Sequence, residues 1–222
     1  MGTLFLVRHG QASFGTHDYD RLSELGARQC RALGAYLRRR GVEFEAVLVG
    51  TLNRHVQSLA AIAEGYGELP APLSRAGLDE YDGEAIVRAH RPEGLPAVGT
   101  PEGYRAHFRA LREGLVRWAA GELAPPGMPT HVEWLQGITD ALDHVRSGYR
   151  DDVLLVSSGG PIAHAVAHVL AAGPQAAIEL NMRIRNSALT EFVYTPDRHR
   201  LLSFNHVAHL DDPERAAWIT FA

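Results

Sequence analysis

The sequence predicts an α/β fold, a three-layer sandwich in which a mostly parallel sheet is flanked by helices. Three observations carry that reading. The runs Leu4-Phe5-Leu6-Val7, Ala46-Val47-Leu48-Val49 and Val153-Leu154-Leu155-Val156 are continuously apolar and do not alternate. Strands buried on both faces of a covered parallel sheet have that pattern. Each run is followed at once by a turn of small or polar residues, namely Arg8-His9-Gly10, Gly50-Thr51-Leu52-Asn53-Arg54 and Ser157-Ser158-Gly159-Gly160-Pro161. Finally, 222 residues at 45 % hydrophobic and 22 % charged have the ordinary balance of a globular chain, which excludes a disordered tail, a collagen-like fibre and a coiled coil.

The elements follow in order. Ser23 before Glu24-Leu25-Gly26 reads as the N-cap of a helix that runs to about Arg40 and ends at Gly41. The Ala-rich helix after the second strand runs to about Glu64. Residues 84 to 150 hold Pro92, Pro96, Pro101 and the Pro125-Pro126-Gly127 break between helical stretches near 103–120 and 131–147. They read as a helical insertion over one end of the sheet, within a single domain spanning residues 1–222. An apolar helix runs from the third turn through Leu170. Ser187 to Tyr194 is expected to be a fourth strand, paired across Thr195-Pro196-Asp197 with Leu201 to Phe204 as an edge hairpin.

Composition narrows the function. The 22 basic and 26 acidic residues give a net charge of −4, without the basic excess of a nucleic-acid binder. The one cysteine, Cys30, excludes an intramolecular disulfide and a multi-cysteine metal site, and it reads as a small packing residue. Thr3 to Val7 is too short for a signal peptide, and no apolar run approaches the ~20 residues of a membrane span. A cytoplasmic enzyme or binding protein is therefore expected. Nothing in the sequence sets an oligomeric state.

In an open parallel sheet, ligands bind beyond the carboxyl ends of the strands. All three junctions put polar groups there: Arg8 and His9, then Arg54, then Ser158 with Gly159 and Gly160. Backbone N–H groups at a helix start favour an anion, and guanidinium forks suit phosphate oxygens. Their convergence suggests a phosphate held beside an imidazole. His164 and His168 share a helix face but lack the Glu of a zinc motif, so they read as packed residues. His206 and His209, near Asp211 and Asp212, read as a C-terminal loop over the site. The turn at Ser158 lacks the glycine two residues earlier that a hydrolase elbow needs.

Leu6-Val7-Arg8-His9-Gly10-Gln11 resembles the signature of the histidine phosphatase superfamily, whose branches include the cofactor-dependent phosphoglycerate mutases. The resemblance covers most of the chain. Leu22-Ser23-Glu24-Leu25-Gly26 is similar to the family's next helix start, and Arg54 with Gln57-Ser58-Leu59-Ala60 to its second. Leu78-Asp79-Glu80-Tyr81-Asp82-Gly83 resembles the segment carrying the family's acid, and Val156-Ser157-Ser158-Gly159-Gly160 its last catalytic turn.

The resemblance implies a phosphoglycerate mutase-like fold and a phosphomonoester hydrolase without metal or cofactor. His9 would be the nucleophile, and Arg8 and Arg54 would hold the phosphoryl oxygens. Glu80 would protonate the leaving group, with Asp82 as the rival for that task. Gln11, Ser158 and Gly159 would complete the phosphate site. The substrate would be a phosphorylated small molecule or a phosphoprotein, with no nucleic acid or membrane as partner.

Some positions depart from the family. Ser158 stands where the family usually has a second histidine that donates to the phosphoryl group. Losing one charged donor costs roughly 3 kcal/mol, about a hundredfold in rate. Ala12 and Gly15 replace Ser and Asn, with Gln11 and Ser13 as possible substitutes. The alternatives to a phosphatase are a degenerate member that binds a phosphorylated ligand with little turnover, and a phosphoglycerate mutase.

Overall fold

The computed structural model describes residues 1–13, 20–96 and 100–221. Its strands are β1 (Gly2–Arg8), β2 (Phe44–Val49), β3 (Pro72–Ser74), β4 (Asp152–Ser157), β5 (Leu189–Thr195) and β6 (Arg198–His206). They form one sheet in the order β3-β2-β4-β1-β5-β6. The sheet is mixed, which corrects the expectation of a mostly parallel one. Strands β3, β2, β4 and β1 pair in parallel, whereas β5 runs antiparallel to β1 and β6 antiparallel to β5. The expected hairpin is present, but its first strand docks directly on central β1. Strand β3 lies outside the expected set because three residues carry too little pattern to be read.

Helices cover both faces. They are α1 (Glu24–Arg39), α2 (Asn53–Tyr66), α3 (Gly83–His90), α4 (Pro101–Ala119), α5 (His131–Gly148), α6 (Gly159–Val169) and α7 (Pro174–Asn181). Side chains alternate along a strand, so each strand feeds both layers. Phe5, Val7, Val47, Val49, Leu154 and Val156 pack with Cys30, Leu33 and Leu37 of α1 and Leu59 and Ile62 of α2. Leu4, Leu6, Leu48, Val153 and Leu155 pack with Ile138, Leu142 and Val145 of α5 and Ile162 and Val166 of α6. Both strand faces are buried, which explains the unbroken apolar runs.

Local chemistry sets the helix ends. Ser23 caps α1, its hydroxyl accepting from the Gly26 amide. Thr130 and Glu133 form a reciprocal capping box at α5. Helix α2 has no side-chain cap of its own; instead Asp20 accepts from the Asn53 amide at 2.8 Å. Trp118 and Trp134 are core residues, 2 % and 8 % exposed. Cys30 is fully buried, and burial pushes its thiol up to about 11, leaving it an inert packing group. Among the described residues, no helix is long and apolar enough to cross a membrane.

Candidate active site

The parallel registers place the site. Val7 pairs with Val156, Arg8 with Ser157, and Val49 with Val156. The residues after these strands, His9, Gly50 and Ser158, therefore emerge side by side at one sheet edge. The ladder reaches the first of them, since the His9 amide donates to the Ser157 carbonyl at 2.9 Å. Strand β3 ends at the same edge, and a 3-10 turn over Ala76–Leu78 delivers Asp79 and Glu80 there. Four parallel strands thus contribute to one crevice.

An open cleft of ≈ 1490 Å³ lies at this edge, lined by Arg8, His9, Arg54 and Glu80 among others. His9 is 3 % exposed. Its Nδ1 is 2.7 Å from the Gly10 carbonyl. A carbonyl can only accept, so Nδ1 carries the proton and Nε2 keeps a lone pair. Burial, followed by the charges of Arg8 and Arg54, holds this imidazole well below its ordinary 6.5. The ring is neutral near pH 7.

Each companion is anchored. Arg8 Nη1 donates to the Ile184 carbonyl, and Arg54 Nη1 is 2.7 Å from Asp20 Oδ1. Glu80 accepts from the Gly160 amide at 3.0 Å through Oε2, while its Oε1 is buried without a hydrogen-bond partner. Desolvation raises the Glu80 carboxyl against the opposing pull of Gly160, Arg54 and Arg8. Asp82 is placed differently. Its side chain is 55 % exposed and caps α3 through the Ala85 amide.

The other sequence-derived positions do not line the cleft. Gln11 turns to α1, where its Oε1 accepts from the Ser23 hydroxyl and its amide donates to Gln29. Gly159 opens α6 against Asn181 and Arg8, so close that a Cβ would overlap Asn181 Oδ1. Ser158 is fully buried at the N-cap of α6, and its hydroxyl is 2.6 Å from His55 Nε2. Ala12 bridges to Leu22 and Ser13 donates its amide to Arg21; Gly15 lies outside the described residues. The C-terminal segment does reach the cleft, with Phe221 on its wall.

His164, His206 and His209, also weighed from the sequence, lie off the cleft wall. His164 Nδ1 meets the Gly160 carbonyl at 2.8 Å and its Nε2 meets His131 at 3.2 Å. His206 pairs with Glu191, and His209 with Ser187. Among the described residues, no group of three or more His, Cys, Asp or Glu is arranged to hold a metal ion.

Sequence reasoning passed over Asp20, Asp79 and His55. Asp79 and His55 each sit beside a residue it had singled out, Glu80 and Arg54. Adjacency along the chain was the available signal.

The fold and this cleft define an α/β protein with a histidine, two arginines and a carboxyl group at the carboxyl edge of its parallel strands. The family model described as the histidine phosphatase superfamily (branch 1) matches residues 4–207, and the chain belongs to that superfamily. No curated protein matches the chain. Similar solved structures include a phosphoserine phosphatase variant from Entamoeba histolytica in complex with phosphoserine. It is 20 % identical, with 95 % of this chain and 100 % of that one covered at a TM-score of 0.66. A putative alpha-ribazole-5'-P phosphatase from Escherichia coli is 17 % identical over 93 % of this chain and 97 % of its own, with a TM-score of 0.68. A phosphoglycerate mutase from Bacillus anthracis is 15 % identical, 94 % of each chain covered, with a TM-score of 0.65. At these identities the likeness is one of fold.

Proposed function

We propose that this protein is a phosphomonoester hydrolase that works through a phosphohistidine on His9. The observation that carries the reading is the tautomer. With Nδ1 held by the Gly10 carbonyl, Nε2 has its lone pair available in a cleft shared with Arg8, Arg54 and Glu80. In the first step Nε2 attacks phosphorus, the ester P–O bond breaks, and the leaving oxygen takes the proton of Glu80. Water then attacks the phosphohistidine, returns a proton to Glu80 and releases phosphate. Arg8 and Arg54 balance the charge on the phosphoryl oxygens, so the chemistry calls on no metal ion.

Glu80 is preferred to Asp82 as the acid. Its buried carboxyl has a raised affinity for protons, as a donor working near neutrality needs, whereas Asp82 is occupied as a helix cap. Gly159 contributes as part of the helix start and Gln11 by fixing the loop after His9.

The cleft also constrains the substrate. Its volume exceeds the ~300–1,000 Å³ usual for a small-ligand site. Helix α4 lines it with apolar Tyr104, Phe108, Leu111 and Val116 interleaved with charged Arg109, Arg112, Glu113 and Arg117. We read residues 84–150 as the insertion that selects the leaving group, and a bulky, partly apolar phosphomonoester fits best. The replacement at Ser158 supports a slower enzyme or a binder of phosphorylated ligands as the second reading.

The test is hydrolysis of an aryl phosphate by wild type and His9→Ala, with trapping of labelled phosphohistidine. Turnover and label that both vanish in His9→Ala are expected. Turnover that survives in His9→Ala overturns the mechanism.

A further inference from the structure

Gln29 is a fully buried polar side chain on α1, three residues after Gly26. The two share one helix face, and that face carries the loop after His9. A Cβ at Gly10 would overlap the Gly26 carbonyl, and a Cβ at Gly26 would overlap the Gln11 carbonyl. With the backbones this close, Gln29 Oε1 accepts from the Gln11 amide at 2.8 Å. Its Nε2 donates to the Trp218 carbonyl at 2.6 Å and to Thr220 Oγ1 at 2.9 Å. These partners fix which way the carboxamide points, because a flipped one would set donor against donor and acceptor against acceptor.

The Gln11 N–H and the Gly10 carbonyl are two ends of one planar peptide. That carbonyl accepts from His9 Nδ1 at 2.7 Å. Gln29 therefore holds the group that decides which ring nitrogen of His9 carries the proton. A hydrogen bond at the N–H end also polarises the peptide and strengthens its carbonyl as an acceptor. The other flank of His9 closes through the same segment, residues 218–220. The Thr220 hydroxyl donates to Asn186 Oδ1 at 3.0 Å, and the Asn186 amide donates to the Thr220 carbonyl at 2.9 Å. The next residue, Ser187, donates its amide to the His9 carbonyl at 3.1 Å. Ser187 is fully buried with φ 55°, a backbone that a non-glycine residue keeps only where its surroundings impose it.

We infer that Gln29 is a positioning residue for the nucleophile, which, tethered to segment 218–220, holds the Gly10–Gln11 peptide so that His9 keeps its proton on Nδ1 and presents Nε2 to the cleft. Its catalytic consequence rests on the phosphatase reading given above, whereas the tautomer rests on the hydrogen bonds alone. Gln29 does not line the cleft and touches no reacting atom. It is the outermost of three groups in line, carboxamide, peptide and imidazole. An imidazole protonated on Nε2 has no lone pair there to attack phosphorus. A shift of tautomer thus removes the nucleophile without moving Arg8 or Arg54, so kcat bears the loss and KM does not.

Two measurements test this. Histidine ring nitrogens labelled with 15N report the tautomer by NMR near pH 7, where burial keeps the His9 ring neutral. The His9 signals are assigned by their loss in His9→Ala. Wild type is expected to show His9 with its proton on Nδ1 alone. Gln29→Met keeps the length and removes the acceptor, and it is expected to show a second form protonated on Nε2. A single Nδ1–H form in Gln29→Met overturns the proposal. Should that variant not fold, Thr220→Val is read instead, because it cuts one tether of Gln29 Nε2 on a half-buried segment. The same second form is expected in a smaller share, and its absence overturns the proposal. These spectra need no turnover, so they stand even if the protein hydrolyses no phosphate ester.

The second measurement is kinetic, in mildly acidic buffer. Gln29→Met is expected to lower kcat about tenfold with little change in KM. Gln29→Glu retains an oxygen for the Gln11 amide, and its buried carboxyl, when protonated, donates to the Trp218 carbonyl. It is expected to recover most of the loss, with His9 back in the Nδ1–H form. Equal losses in Gln29→Met and Gln29→Glu mean that Gln29 only packs, and also overturn the proposal. A wild type that shows the expected tautomer but turns over no phosphate ester sinks the phosphatase reading alone.

Discussion

The backbone N–H of Gly160 donates to Oε2 of Glu80 at 3.0 Å, joining the turn after β4 to the turn after β3. The approach requires a glycine. A Cβ at position 160 would overlap Glu80 Oε1 and lie 2.8 Å from Tyr81 Cε1. Gly160→Ala therefore displaces the carboxyl while leaving Arg8, His9 and Arg54 in place. General acid catalysis is worth about 10²- to 10⁴-fold, and a misplaced acid should lose at least the lower part of that range. The loss should be largest for alkyl phosphates, whose leaving oxygen needs a proton, and smaller for aryl phosphates. Equal losses on both classes would show that the turn matters for something other than proton delivery.

The pH profile follows from two opposite shifts. Burial lowers His9 well below 6.5, so the nucleophile stays neutral into mildly acidic solution. Desolvation raises Glu80 above the ordinary carboxyl value. The active form has His9 unprotonated and Glu80 protonated, and it is lost as pH rises through the Glu80 pKa. Activity on alkyl phosphates should fall on the alkaline side of an acidic optimum, and Glu80→Gln should abolish that limb. A profile in Glu80→Gln with the same alkaline limb would assign it to another group.

Asp20 does two jobs at the start of α2. Its Oδ2 takes the Asn53 amide at 2.8 Å, and its Oδ1 takes Arg54 Nη1 at 2.7 Å. Asp20→Ala should cost about 1 kcal/mol of stability through the lost cap. It should also lower kcat/KM about tenfold by loosening Arg54, an effect on the order of 1.4 kcal/mol. Asp20→Asn, which can still accept, should recover most of the stability and only part of the activity. Thermal melts beside steady-state kinetics decide it; unchanged kcat/KM in Asp20→Ala would mean that Arg54 needs no tether.

The parallel half of the sheet was legible because its strands are buried on both faces and each ends in a polar turn. Once the three turns were aligned at one edge, Arg8, His9 and Arg54 came together without further information. Other features were not legible, for physical reasons. The antiparallel docking of β5 on β1 depends on a chain reversal that the pattern of Ser187 to Tyr194 does not specify. Helix α7 and strand β3 are short, and their partners supply their order. Ser158 could be read as a polar group at a helix start, but its burial could not, because His55 covers it from an element 103 residues away. Gln11 has the right chemistry and position for a phosphate ligand, yet Ser23 and Gln29 draw the loop toward α1.

Glu191 offers a stability test remote from the cleft. It lies on β5 opposite Phe5 of β1, only 8 % exposed, with Arg40 Nη1 at 2.7 Å, the Ser203 hydroxyl at 2.7 Å and His206 Nε2 at 3.4 Å. Arg40, at the C-terminal end of α1, thus ties that helix to the sheet. Hydrogen bonds from His206, Ser203 and Arg40 outweigh the cost of burial and lower the carboxyl from the ordinary 4.5 to about 2. A depressed carboxyl stabilises the folded state above its unfolded pKa and loses that contribution as pH falls through the folded one. The window is therefore from about 4.5 down to about 2. Arg40 is 38 % exposed, so the full shift is discounted for solvent screening, leaving roughly 2 kcal/mol. Glu191→Gln keeps the shape and removes the charge. By denaturant unfolding it should be less stable than wild type by about that amount near neutrality, and the gap should close toward the acid end of the window. A gap that does not change with pH would assign the loss to packing and not to the carboxylate charge.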